Sequence, residues 1–122
     1  MKINILFWKQ SFIAKLRTKK TNTITSVTNV DGGDMVQGAL EVNPTEIKVI
    51  EGEKNSQNFN AIVNSGYAYD FVGWSFKQGG DHNDLGSINT YNPSSDLIQQ
   101  TELHKTSILY ATFKPKEVHN HI

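Results

Sequence analysis

The segment 65–76, SGYAYDFVGWSF, constrains the chain more than any other stretch. It carries five aromatic residues in twelve positions, in a chain that is 10% aromatic overall. Successive side chains of a strand point to opposite faces. Tyr67, Tyr69 and Phe71 therefore share one face and Val72, Trp74 and Phe76 the other. The alternation slips by one residue near Gly73. A β-bulge at that glycine satisfies the pattern, and so does a strand buried on both faces. Either way the rings are expected to line a core, each removing on the order of 150–250 Å² from water.

Other segments extend the strand reading. GALEV (38–42) alternates weakly, and Asn43-Pro44 signals a turn. EIKVIE (46–51) sets Ile47 and Val49 against Lys48, and EGEKNS (51–56) reads as a hairpin connection around Gly52. NFNAIVN (58–64) sets Phe59, Ala61 and Val63 against a mostly polar face. SILYATFK (107–114) sets Leu109, Ala111 and Phe113 against Ile108, Tyr110 and Thr112. Residues 77–96 are loop-rich, with Ile88 and Tyr91 as anchors, and DLIQQ (96–100) is a short strand or a turn of helix. The expected fold is mainly β: a small antiparallel sheet domain, β-grasp-like or an open sandwich, preceded by an extended or partly helical N-terminal arm.

Charge divides the chain. Residues 1–20 hold Lys2, Lys9, Lys15, Arg17, Lys19 and Lys20 and no acid. Residues 21–122 hold the other six bases and all twelve acids, a net charge of −6. A basic head on an acidic body suggests that the two meet different surroundings. INILFW (3–8) places Ile3, Ile5 and Phe7 on one strand face, and SFIAKLR (11–17) reads as one or two helical turns. The apolar run is too short, and too soon interrupted by Lys9, to resemble a secretion signal or to span a bilayer. RTKKTNTITSVTN (17–29) reads as a polar linker with a short strand at 23–28, and DGGD (31–34) as a boundary. The organisation expected is an arm and linker over 1–30, a β-rich domain over 35–116 and a tail over 117–122. With no cysteine in the chain, disulfides and thiolate metal sites are excluded.

VIEGEKNSQNFNAIVNSGYAYDFVGW, followed by SILYATFKP, resembles a divergent internalin B-type repeat. The likeness covers about residues 35–116 and is carried by Gly66-Tyr67, Phe71, Gly73-Trp74 and Leu109-Tyr110-Ala111. Relative to the family pattern, either two additional residues separate the Gly-Tyr and Gly-Trp pairs, or Tyr69-x-Phe71-x-Gly73-Trp74 is the matching stretch and its leading glycine is absent. The resemblance implies a small β-rich domain used for display, spacing or adhesion rather than catalysis.

Catalytic signals are sparse. Asp81, Asn83 and Gly86 fit part of a calcium loop, but Leu85 occupies a position that needs an oxygen ligand. His119 and His121 sit in the tail; His82 and His104 fall in expected loops. Glu51 and Glu53 flank a turn glycine and read as solvated. No metal, cofactor or catalytic residue is expected. The expected partner-binding residues are those of the arm: Ile5, Phe7, Trp8, Lys9, Phe12, Lys15, Arg17, Lys19 and Lys20. Apolar INILFW and FIAKL need a docking partner, and other protein subunits of a larger assembly are the expectation. Nucleic acid, with Trp8 and Phe12 stacking on bases beside the lysines, is a weaker alternative. Tyr67, Tyr69 and Tyr91 are the candidate ligand-facing rings for a glycan or host surface. Phe59, Phe71, Gly73, Trp74, Phe76, Leu109, Ala111 and Phe113 are the expected core. Together these readings point to a structural protein of a virion, such as a bacteriophage head-decoration or fibre-associated subunit. The alternative is an extracellular adhesion module at a bacterial cell surface.

Overall fold

The computed structural model describes residues 18–78, 82–95, 97 and 99–117. The strands are β1 (Thr21–Val30), β2 (Leu40–Asn43), β3 (Glu46–Ile50), β4 (Phe59–Val63), β5 (Tyr69–Ser75), β6 (Thr90–Tyr91) and β7 (His104–Pro115), with a 3-10 turn at Pro93–Ser95. The fold is mainly β. One mixed sheet has the order β3-β1-β7-β5, and a smaller antiparallel sheet has the order β2-β4-β6.

The core gathers inward-facing residues of both sheets. Ile24, Ile47, Val49, Leu109, Ala111, Phe113 and Trp74 come from the larger sheet, and Leu40, Val42, Phe59 and Ala61 from the smaller one; all are buried. Register explains the match. Ile24 pairs with Ile47, Trp74 with Ala111 and Phe71 with Phe113, so apolar side chains stack across neighbouring strands. The Trp74 ring lies 6.4 Å from Phe59 and 6.1 Å from Tyr91, which carries the contact from one sheet to the other.

Residues 21–30 depart from the linker expectation. They form a ten-residue strand at the centre of the larger sheet, antiparallel to β3 and parallel to β7 from Thr21↔His104 to Val30↔Phe113. The body therefore begins near residue 18 rather than 35. The apolar pattern of this strand is thin because polar residues fill its buried face and find distant partners. Ser107 Oγ donates to Asn22 Oδ1 (3.0 Å), and Ser26 Oγ donates to the Thr45 carbonyl (3.1 Å). Buried polar groups satisfied in this way cost little, and threonine suits an extended chain.

The parity slip in the aromatic strand is a bulge. The β5–β7 register shifts between Phe71 and Gly73, leaving Val72 unpaired. Gly73 is needed for close approach: a Cβ there would lie 2.6 Å from Asn83 Cα and 2.7 Å from the Gly86 carbonyl oxygen. The segment 83–86 continues the sheet at this edge, with Trp74 N–H donating to Gly86 O (3.0 Å) and Leu85 N–H donating to Trp74 O (3.0 Å). Gly52, at φ +80°, makes the turn after β3, where Glu53 N–H donates to Ile50 O (3.1 Å).

Candidate interaction surfaces

Of the arm residues singled out from the sequence, Ile5, Phe7, Trp8, Lys9, Phe12, Lys15 and Arg17 lie outside the described residues. Lys19 and Lys20 lie within them and engage the domain itself. The Lys19 ammonium stands 3.8 Å from the Glu53 carboxylate, with both side chains exposed. Lys20 is fixed more firmly. Its backbone N–H donates to Glu51 Oε1 (3.0 Å), its Nζ donates to the Gln100 carbonyl (2.8 Å), and its carbonyl accepts from Glu51 N–H (2.9 Å). This residue belongs to the root of β1, which corrects its assignment to the partner-binding arm.

The three tyrosines do not form one surface. Tyr67 is 41% exposed in the turn after β4. Tyr69 is 8% exposed; its hydroxyl donates to the Asp34 carbonyl (2.9 Å) and accepts from Val36 N–H (3.3 Å). A ring buried in this way cannot face a ligand, and its role is to hold the 31–38 loop on the sheet. Tyr91 is half-buried against Trp74 and Phe76 and pairs with Phe59, at the end of β4 remote from Tyr67. Among the expected core residues, Phe59, Trp74, Leu109, Ala111 and Phe113 are fully buried. Gly73 is buried under the 83–86 segment, and Phe71 and Phe76 pack partly buried against the cluster.

The loop with partial calcium-loop spacing uses its backbone for folding. Asn83 O accepts from Gly86 N–H (2.9 Å), Gly86 O accepts from Trp74, and Leu85 packs against the core. Asp81 lies outside the described residues, as do His119 and His121. His82 Nε2 stands 3.9 Å from Asp31 Oδ2, and His104 Nδ1 is 2.9 Å from Thr21 Oγ1. Among the described residues no three His, Asp or Glu side chains converge as a metal site. No helix among them is long and apolar enough to cross a membrane.

Two surface features escape the strand pattern. An open cleft of about 740 Å³ lies where β1 and β7 end, between Asp31, Asp70, Lys114, Lys116 and Glu117. Its charges are of both signs, which suits solvated polar contact more than capture of one small ion. The second is a groove between β1 and β2 lined in part by Met35, which is 45% exposed and followed by Val36 at 49%. The adjacent apolar pair Met35-Val36 within the otherwise polar 31–38 loop was its one signal in the sequence. Asn64 ties the two turns at this pole together: its N–H donates to Ala39 O and its Nδ2 donates to Gly38 O, both at 2.8 Å, and Tyr67 N–H donates to Asn64 O.

Comparison of the chain with protein-family models, with curated proteins and with solved structures returns no match.

Proposed function

We propose that this is a non-enzymatic structural protein, joined to a larger protein assembly through its basic N-terminal arm, with the two-sheet domain displayed outward. The observation that carries the reading is the division of labour along the chain. All the net positive charge sits in residues 1–20, whereas the large aromatic rings of the body are mostly spent on packing, with Trp74 and Phe59 at full burial. That division favours the arm as the segment that engages a partner. A virion subunit of the head-decoration or fibre-associated kind, from a bacteriophage, is the specific assembly we infer. The likeness of residues 35–116 to an internalin B-type repeat supports a display role for the domain.

A second reading, adhesion to a host protein or glycan, is favoured by exposed Tyr67 alone. Tyr67→Ala should then abolish glycan-array binding whether or not the arm is present.

Truncation tests the main reading, and the position of the cut matters. Removing residues 1–17 should leave a folded domain that melts like the full chain yet no longer co-sediments with its parent assembly. Removing 1–20 also strips three hydrogen bonds from the root of β1, at roughly 1 kcal/mol each, and should lower stability as well. A chain lacking residues 1–17 that still enters the assembly would refute the arm's role.

A further inference from the structure

Backbone hydrogen bonds must be accounted for on both sides of every strand, and in β1 the account does not close. Neighbouring residues of a strand turn their N–H and C=O groups to alternate sides. Thr21 N–H donates to Leu103 O (2.9 Å) and Asp31 N–H donates to Phe113 O (2.8 Å), so odd-numbered residues face β7. Even-numbered residues face β3: Lys20 O accepts from Glu51, and Ser26 N–H donates to Thr45 O (2.8 Å). The β1–β3 pairing stops at Thr25↔Glu46. Thr28 and Val30 thus present their backbone groups to an edge that no described strand occupies.

The same logic applies to β2. Asn64 N–H donates to Ala39 O, which turns Ala39, Glu41 and Asn43 toward β4 and the backbone groups of Leu40 and Val42 away from it. The two open edges border one groove of about 420 Å³, lined by Ser26, Val27, Thr28, Met35, Glu41 and Val42. Glu41 lines it, Glu46 lies beside its closed end at Thr45, and Asp31 and Asp34 lie in the loop that joins the two strands. A groove with Val27, Met35 and Val42 among its lining, open backbone edges and acidic surroundings suits an extended, largely apolar segment flanked by cations.

The chain contains such a segment. Residues 3–8 alternate apolar side chains between Lys2 and Lys9. We propose that the groove receives residues 3–8 of a second copy of this chain, added as a strand along Thr28 and Val30. The proposal deepens, and rests on, the reading that the arm engages another subunit. The path of the chain favours a second copy. The arm leaves the domain at the start of β1, whereas the groove lies along its end. From Thr21 to Thr25 the same edge is filled by β3, so a chain returning to its own groove must reverse at once and pass around β3. Donor and receptor at opposite poles instead give a head-to-tail contact that repeats from copy to copy. Seventeen residues precede Thr18, a reach of about 55–60 Å when extended, which is ample for bridging two domains.

The chain has no native cysteine, so disulfide trapping reads the contact directly. Full-length Phe7→Cys protein carrying a mass tag is mixed with untagged Met35→Cys protein under mild oxidation. A mixed disulfide is expected well above that formed with Ile88→Cys, an exposed control outside the groove's lining. The double variant F7C/M35C should give a ladder of linked copies. Thr28→Pro removes a groove-facing N–H without touching the β7 ladder, and Glu41→Lys reverses a charge at an exposed position. Each should lower the trapping yield about tenfold, the equivalent of 1.4 kcal/mol, with an unchanged circular dichroism spectrum. Glu41→Lys stands alone as the test if Thr28→Pro misfolds. An internally bridged monomer from the double variant would overturn the proposal, and so would a yield no higher than the Ile88→Cys control or indifferent to Glu41→Lys. Loss of assembly on removing residues 1–17, without any trapped pair, would leave the arm's role intact and refute only this receptor.

Discussion

Replacing Gly73 by alanine isolates one contact on which the β5 edge depends. The added Cβ would fall 2.6 Å from Asn83 Cα and 2.7 Å from Gly86 O, both backbone atoms that cannot rotate aside. The 83–86 segment must therefore lift from the sheet or β5 must shift. Crowding of a well-packed site costs about 1–3 kcal/mol. Lifting the segment also weakens the two hydrogen bonds with Trp74, each worth about 1 kcal/mol. The expected loss is about 2–4 kcal/mol, which corresponds to a fall in Tm of roughly 10–30 °C for a domain of this size. Urea unfolding followed by circular dichroism measures it, and an unchanged m value keeps the comparison two-state. Gly66→Ala is the matched control: Gly66 has φ +91° with open space around it, so only backbone strain of about 1–2 kcal/mol applies. If Gly73→Ala unfolds within about 0.5 kcal/mol of the parent, the range of an ordinary surface change, the 83–86 segment is not seated on β5 and the bulge has another cause.

Trp74→Ala should destabilise the domain by about 3–5 kcal/mol, the usual cost of deleting a large buried aromatic; a variant that melts like the parent would place the ring at the surface. Tyr69→Phe removes the hydroxyl that joins Asp34 O to Val36 N–H and should cost about 1 kcal/mol. Hydrogen exchange should rise in residues 31–38 with little change in β7, and uniform loss of protection would contradict a local role for Tyr69.

Much of the strand inventory was legible because apolar parity survives in the sequence wherever a buried face is apolar. Leu109, Ala111 and Phe113 are all fully buried, as is Phe59, while Ile108 on the opposite parity of β7 is 49% exposed. The bulge was legible for the same reason, since a slipped period beside a glycine has few structural solutions. β1 was legible only in fragments. Its buried positions include Asn22 and Ser26, whose partners Ser107 and Thr45 lie 85 and 19 residues away, and no local window contains them. Its parallel pairing with β7 joins the first and last strands, beyond the reach of hairpin logic. Tyr69, a candidate ligand-facing ring by sequence, is buried, and its hydroxyl meets the backbone of Asp34 and Val36. The surfaces were less legible than the fold. A groove edged by unpaired backbone has no side-chain signature, because every residue except proline carries the same N–H and C=O.

The departure in β1 also reshapes the functional reading. A strand hydrogen-bonded to β3 and β7 cannot serve as a loose tether, so residues 21–29 of the linker expected over 17–29 belong to the body. Lys20, fastened to Glu51 and Gln100, fixes the start of β1 to the body. If the proposed anchoring holds, tension applied at the start of β1 would run along the β1–β7 ladder, ten registered pairs long, instead of peeling an edge strand. Hydrogen bonds loaded in shear along a long ladder share the force, whereas those at a frayed edge would break one at a time. The proposed anchored display domain would benefit from that arrangement whatever surface it is attached to. It also accounts for a central strand rich in threonine and asparagine: β1 is held by its two neighbours and by side-chain hydrogen bonds, with Ile24 as its one fully buried apolar residue.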